Sequence, residues 1–359
     1  MSLNKSHSFW KDQQDKSYNA YKKNLIYPNR YVFVLTNLCN LRCEFCFQSR
    51  EKRSDAMTET NWLNLIHQIP KDSRITLTGG EPFVFKGFNN IFNEVVKDKD
   101  CNIISNGTLL KPELIELIIK AERLKILSIS IDEIYNKNRG VTDDQWKRML
   151  EGIKFFHNLK IKRKNDISLD IKVVIMDENS NHLFELHKYA IEQLGADTVS
   201  YSFLKGSEIQ HSDYEVSYDC IYKQYKAKKY EKFEIIIEQL EKIRDYNKNN
   251  KVYAFLHPNI FDLNTSEGKI DINYINNIFH EKKHYKPCLS PWGSVHVNVD
   301  GNVFPCMSIS LGNVKTEKLE NILKSDKFFN FKEYIKKEGT VSACNRCGYL
   351  KPAVNLIAD

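Results

Sequence analysis

The chain of 359 residues has no apolar run that approaches the roughly 18 residues a membrane span requires. Its first 30 residues are rich in Lys, Asn, Gln and Ser and lack the apolar stretch of a secretory signal. Both absences argue against insertion and export, and the expected location is the cytoplasm. No internal repeat or low-complexity tract is found, which argues against a solenoid or array. Charge is not concentrated either: 53 Lys and Arg against 46 Asp and Glu leave +7, spread along the whole chain. That bias is weak evidence about partners, and nucleic acid is not expected among them. What is present looks globular, with 42% hydrophobic and 28% charged residues. The length suits one large domain and a smaller one, because single cores stop growing at about 250 to 300 residues. Nine cysteines in a reducing compartment argue for metal or catalytic use rather than disulfides.

From Tyr31 to about Gly206, short β-branched or apolar runs alternate with longer stretches of helical period, the pattern of repeated βα units and a parallel sheet. Strands are expected at residues 31–36, 74–78, 102–105, 126–131, 169–176 and 198–203. Between them, Trp62, Leu65, Ile66 and Ile69 share a helical face, as do Trp146, Met149, Leu150, Ile153 and Phe156, and Leu183, Leu186, Ala190, Ile191 and Leu194. Thr142 with Gln145 reads as a capping box, and Pro112 suits a first helical turn. Tyr222, Tyr225, Phe233, Ile236, Ile237, Leu240 and Ile243 suit one long amphipathic helix that ends in the polar stretch Asn247 to Asn250. After Cys288, Val295, Val297 and Val299 alternate up to Asp300-Gly301, a hairpin signal, and short helices are expected near residues 315–323 and 328–335. The expected organisation is an N-terminal extension over 1–30, an α/β unit over 31–206, a helical linker over 207–287 and a small hairpin-containing domain over 288–359.

Cys39, Cys43 and Cys46 are spaced C-x3-C-x2-C directly after the first strand. Thiolates this close converge on one face of a cubane cluster, and four-cysteine ligation is usual for such clusters. Three local ligands therefore imply a remote fourth or an open iron. A zinc site completed elsewhere, or three buried structural cysteines, would use the same residues. A second motif, Thr78-Gly79-Gly80-Glu81-Pro82, follows the second strand. Its glycines allow close backbone approach to a ligand, and its carboxylate accepts hydrogen bonds from an ammonium group. The cysteine loop, Gly79 to Glu81, Ser105 to Gly107, Asp132 and Gly206 all fall at C-terminal strand ends, where parallel βα sheets build their sites.

With Phe45 as an aromatic just before the last cysteine, the loop resembles the signature of the radical S-adenosylmethionine superfamily. The resemblance covers Tyr31 to Gly206 and implies a partial (β/α)6 barrel whose [4Fe-4S] cluster leaves one iron open to the amino and carboxylate groups of S-adenosylmethionine. It further implies that Gly79, Gly80 and Glu81 grip the methionyl amino group. Ser105 and Asn106, Ser130 and Asp132, and Arg139 match positions whose equivalents touch the ribose or carboxylate, although turn chemistry or capping explains each equally well.

Cys288, Cys306, Cys344 and Cys347 offer four soft ligands that suit structural zinc as readily as iron and sulfide. The run Val299-Asp-Gly-Asn-Val-Phe-Pro-Cys306, then Gly312-Asn313, then C-x2-C, resembles the auxiliary-cluster domains that follow many barrels of this family. The larger version, known as SPASM, carries more cysteines and two auxiliary clusters, so the shorter twitch form with one auxiliary [4Fe-4S] cluster fits better. Of the remaining cysteines, Cys101 reads as a small buried hydrophobe. Cys220 reads the same way, or by resemblance to epimerases of the family as a hydrogen donor to a substrate radical. His187 reads as a core histidine, His257 and His296 have no assigned place, and the aromatic and basic run from Tyr222 to Tyr230 reads as a solvated helix with one packed face.

The resemblance implies an enzyme that receives one electron from a donor such as flavodoxin or ferredoxin, cleaves S-adenosylmethionine to methionine and a 5′-deoxyadenosyl radical, and abstracts a hydrogen atom from its substrate. The auxiliary cluster makes net oxidation the expected outcome, with a small polar molecule such as a sugar or cyclitol as substrate. A peptide-modifying maturase or epimerase is the alternative, weighed down by the absence of room for a peptide-binding domain before the first strand. An iron–sulfur electron carrier or regulator would leave Gly79-Gly80-Glu81 without purpose, and an RNA-modifying enzyme would lack an RNA-binding domain.

Overall fold

The structure, a computed structural model, describes residues 3–46, 53–134, 139–204, 229–257, 288–306, 309–339, 341, 344 and 347–349. The six expected strands are β1 (Arg30–Val34), β2 (Arg74–Thr78), β3 (Asp100–Ser105), β4 (Leu124–Ser130), β5 (Ser168–Ile175) and β6 (Thr198–Phe203). They pair in chain order, all parallel. The α/β reading therefore holds, with boundaries displaced by a residue or two.

Alternation along the strands makes two faces. Tyr31, Phe33, Ile75, Leu77, Ile103, Leu127, Ile129, Leu169, Ile171, Val199 and Tyr201 are buried in one apolar core with the helices. Thr76, Asn102, Ser128, Asp170, Thr198 and Ser200, at the alternate positions, are buried but polar. The second face is the inner one of the barrel.

The outer face is covered by α2 (Glu59–Ile66), α3 (Phe88–Val95), α4 (Pro112–Ile119), α5 (Asp143–Lys162) and α6 (Leu183–Lys188), whereas α1 (Leu3–Lys22) lies against the C-terminal region. α5 begins with the expected capping box, Thr142 accepting from Gln145 N and Gln145 reaching back to Thr142 N, and α4 has Pro112 in its first turn. His187 of α6 is fully buried between Tyr201 Oη at 3.0 Å and Asn247 Oδ1 at 2.7 Å, and Cys101 is a buried thiol of the core.

The long helix α7 (Phe233–Asn250) starts later than its spacing suggests, and residues 205–228 lie outside the described part. Tyr230 is not helical: its hydroxyl donates to Ile175 O and accepts from Leu204 N, both at 2.6 Å. A left-handed Lys251 (φ 53°) ends α7. β7 (Tyr253–His257) then joins β6 in parallel, a strand inside the segment expected to be a helical linker.

The C-terminal region is likewise part of the sheet. After the single turn α8 (Ser290–Gly293), β8 (Ser294–Val297) pairs in parallel with the free edge of β1, Tyr31 opposite Val295. β9 (Asn302–Phe304) returns antiparallel around Asp300-Gly301, and β10 (Gly312–Asn313) follows it. Among the described residues the sheet has ten strands in the order β10-β9-β8-β1-β2-β3-β4-β5-β6-β7. α9 (Leu319–Leu323) and α10 (Asp326–Glu338) close the region, and α1 covers it with Tyr21 edge-on to Trp292 at 4.9 Å.

Candidate cofactor centre at the strand ends

The cysteine loop leaves β1 at Leu35 and is held by the end of β2. Leu35 N donates to Thr78 O at 2.9 Å, Gly80 N to Thr36 O at 2.6 Å and Glu81 N to Leu38 O at 2.9 Å. A Cβ on Gly79 would stand 2.3 Å from Thr36 O, and one on Gly80 2.3 Å from Leu38 O. Gly79 also has φ 150°, open to glycine and strained for other residues. The backbone that these glycines approach is thus the cysteine loop itself.

The thiols of Cys39, Cys43 and Cys46 form no disulfide. Cys46 N donates to Cys43 O at 3.2 Å, and Cys39 Sγ accepts from Leu41 N at 3.4 Å and Asn106 Nδ2 at 3.6 Å. Burial pushes the Cys39 and Cys43 thiols up; Cys46 raises both further, and Cys39 raises Cys43. Buried thiols in mutual repulsion are ionised readily only by a cation, so the donor set fits a metal cluster. Among the described residues no three His, Cys, Asp or Glu side chains close around a single ion. An iron–sulfur cluster asks for wider spacing, because each thiolate binds a different iron.

The other expected site residues gather here. Glu81 is fully buried and accepts from Ser105 Oγ at 2.9 Å, Asn106 N at 2.8 Å and Phe83 N at 3.2 Å. Burial pushes its carboxyl up to about 7 against those three donors. The carboxylate thus ties the end of β2 to the end of β3. Asp132, just past β4, is also fully buried; it accepts from Val174 N at 2.8 Å and pairs with Arg139 Nε at 2.6 Å. Burial pushes the Asp132 carboxyl up, and Arg139 opposes that shift. Arg139 in turn lies 5.5 Å from the centroid of the Phe45 ring, and its carbonyl accepts from Cys43 Sγ at 3.8 Å. Ser130, the last residue of β4, stands opposite Lys172 in β5.

Three contributors were not expected from the sequence. Asn40 and Thr108 surround Asn106, and Asn179 donates to Asp132 O and Val174 O, both at 2.8 Å. The Asn106-Gly107-Thr108 spacing of an Asx turn was the available signal for one of them. Cys220 and Gly206 lie outside the described residues.

At the other centre Cys288, Cys306, Cys344 and Cys347 are half-buried thiols without a disulfide. Burial pushes the Cys344 thiol well up, and the nearness of Cys347, Cys288 and Cys306 pushes it the same way, so the four cysteines form one group of soft ligands. Cys347 N donates to Cys344 O at 2.9 Å, and the sulfurs of Cys288 and Cys344 accept from Ser290 N at 3.4 Å and Val341 N at 3.3 Å. The C-terminal pair reaches the barrel: a Cβ on Gly348 would lie 2.8 Å from His257 Cβ, and Tyr349 Oη meets Arg30 Nη1.

The Radical SAM superfamily profile matches residues 33–190, and the SPASM iron–sulfur cluster-binding domain profile matches residues 288–348. The antilisterial bacteriocin subtilosin biosynthesis protein AlbA of Bacillus subtilis is 24% identical over 308 residues, 83% of this chain and 60% of AlbA. The chain therefore spans less than two thirds of that relative's length. A protein of Pyrococcus furiosus named as modifying the cofactor of tungsten-containing aldehyde ferredoxin oxidoreductase is 25% identical over 89% of this chain and 87% of its own. The solved structure of Streptococcus suis SuiB bound to the precursor peptide SuiA superposes with a TM-score of 0.63 at 18% identity, over 92% of this chain and 72% of SuiB. With the cysteine loop, the strand-end site and the four C-terminal thiols in place, the chain belongs to the radical S-adenosylmethionine superfamily, with a [4Fe-4S] cluster and S-adenosylmethionine at the barrel and an iron–sulfur SPASM domain behind it.

Proposed function

We propose that this enzyme modifies a peptide by hydrogen-atom abstraction. The observation that carries the reading is the fold shared with SuiB over 92% of this chain, in a structure that holds a precursor peptide, together with the match to a bacteriocin biosynthesis protein. It displaces the small polar molecule expected above. The tungsten-cofactor relative, matched along nearly its whole length, supports a small-molecule substrate as the second reading.

When bound, the cluster and S-adenosylmethionine supply a one-electron cleavage whose radical product takes a hydrogen atom from the substrate. The chain's own part is to hold and orient. Cys39, Cys43 and Cys46 hold the cluster, Phe45 and Arg139 back the loop, and Gly79, Gly80, Glu81, Ser105, Asp132 and Ser130 shape the rim on which S-adenosylmethionine lies. The inner barrel face offers the substrate hydrogen-bonding groups. There Asp170 accepts from Ser128 at 2.9 Å, Thr198 at 2.8 Å and Ser200 at 2.7 Å, and Lys172 Nζ lies 3.2 Å away with its side chain about a third exposed. Asp170 is thus satisfied largely by hydroxyls, which leaves donors on the Lys172 ammonium for a substrate carbonyl or carboxylate. Cys288, Cys306, Cys344 and Cys347 would hold one auxiliary cluster, which would supply an electron acceptor for a net oxidation.

The test is co-expression with short peptides encoded beside the gene, read by mass spectrometry and by 5′-deoxyadenosine formation under reducing conditions. A peptide that loses two hydrogens only when Cys39, Cys43 and Cys46 are intact supports the reading. Stimulation of 5′-deoxyadenosine by small molecules alone sinks it. Lys172→Met is expected to slow substrate-dependent cleavage at least tenfold and to leave the slow substrate-free cleavage unchanged.

A further inference from the structure

We propose that Asn106 is a positioning residue for the N-terminal cluster, donating a side-chain hydrogen bond to the Cys39 sulfur and thereby raising the reduction potential at which that cluster takes its electron. The inference uses the ligation of the cluster by Cys39 and is independent of the identity of the substrate.

The orientation of the amide is dictated by its neighbours. Asn106 Oδ1 accepts from Thr108 N at 2.9 Å and from Thr108 Oγ1 at 2.6 Å. A backbone N–H can only donate, so the oxygen must face Thr108 and the NH2 must face the other way. There it meets Cys39 Sγ at 3.6 Å and Asn40 Oδ1 at 3.0 Å. Asn40 Nδ2 closes the ring by donating to Thr108 Oγ1 at 2.7 Å. The backbone is pinned as well, with Asn106 N on Glu81 Oε2 at 2.8 Å and Gly107 N on Ser105 Oγ at 2.9 Å. Asn106 and Thr108 are each 7% exposed and Cys39 is half-buried, so the Asn106 amide itself is shielded from water.

Reduction adds one negative charge, supplied by an external one-electron donor, and the ligand sulfurs carry part of it. A fixed donor at a sulfur stabilises the reduced form more than the oxidised form, which raises the potential, and burial keeps the effect from being screened. The Leu41 backbone N–H supplies a second donor to the same sulfur at 3.4 Å, one that no side-chain substitution removes. The simpler role for Asn106, an Asx turn that shapes the end of β3, would affect folding and iron loading but would leave the potential of a fully loaded cluster alone.

The experiment is a redox titration of the reconstituted full chain followed by electron paramagnetic resonance, using the signal that changes when S-adenosylmethionine is added to identify the N-terminal cluster. At wild-type iron content the midpoint is expected to fall in Asn106→Ala and to fall further in Asn106→Asp, whose carboxylate removes the donor and adds a negative charge. Thr108→Val, which removes the hydroxyl donor to the amide oxygen and leaves the backbone one, is expected to lie between Asn106→Ala and the wild type. A fully loaded Asn106→Ala with an unchanged midpoint, or Asn106→Asp at or above the wild type, overturns the proposal. Should both Asn106 variants lose iron, Thr108→Val decides alone: a lowered midpoint supports the proposal and an unchanged one overturns it.

Discussion

At the scale of single residues, the site is built of groups whose substitutes have nowhere to go. A Cβ at position 80 would meet the carbonyl of Leu38 at 2.3 Å, backbone against backbone, one residue from the first cluster ligand. Gly80→Ala is therefore expected to displace the cysteine loop and lose the N-terminal cluster while keeping the auxiliary one, so that iron per chain falls by about half, counting four irons per cluster; iron analysis after anaerobic reconstitution checks it. Asp132 and Arg139 form a buried ion pair at 2.6 Å. Asp132→Asn would leave the guanidinium buried beside a neutral amide, with an expected loss on the order of 3 kcal/mol in urea denaturation. Arg139 also backs Phe45 and Cys43, so faster loss of the N-terminal cluster in air should accompany the lost stability. The cysteines and Gly79-Gly80-Glu81 stood out by their spacing, and the resemblance to a family supplied the roles expected of them. Asn40, Thr108 and Asn179 were not, because an asparagine or threonine in a loop looks the same whether it caps a turn or braces a ligand.

At the scale of elements, α6 and α7 meet over one titratable group. Burial holds His187 down to about 4, from an ordinary value of 6.5, between Tyr201 and Asn247. The folded chain keeps it neutral while the unfolded chain protonates it below about pH 6.5. The contribution to stability is therefore complete above that pH and shrinks as pH falls towards 4, by at most about 3 kcal/mol. Urea midpoints compared at pH 7.5 and pH 5 should show the fall, and His187→Gln should flatten it; a slope unchanged by that substitution would refute the assignment. The helical faces of α2, α5 and α6 were legible from period alone, and the capping box placed the start of α5 at its observed residue. The start of α7 was not legible, because Tyr230 sits at helical spacing yet spends its hydroxyl on strand ends instead.

At the scale of the whole molecule, the C-terminal region is welded to the barrel. β8 occupies the edge of β1, Met57 N donates to Val299 O at 2.7 Å, Leu319 N donates to Gln68 Oε1 at 2.8 Å, and α1 packs on Trp292. Deleting residues 288–359 would expose the backbone of β1 and the core positions that Val295 and Val297 cover. That fragment is expected to aggregate rather than yield a soluble barrel with its N-terminal cluster, as size-exclusion chromatography would show. The sequence by itself determined which groups are available: a local thiolate loop, a glycine-rich rim and alternating strands are encoded within short spans, where spacing fixes geometry, and four thiols follow over residues 288 to 347. Only the tertiary structure decided what those spans touch. It turned Gly79 and Gly80 against the cysteine loop, Asn106 towards Cys39, β7 and β8 onto opposite edges of the six-stranded run, and Cys288, Cys306 and Cys347 towards Cys344. Those are pairings between residues far apart in the chain, set by which edges and faces are left to bury, and no local pattern records them.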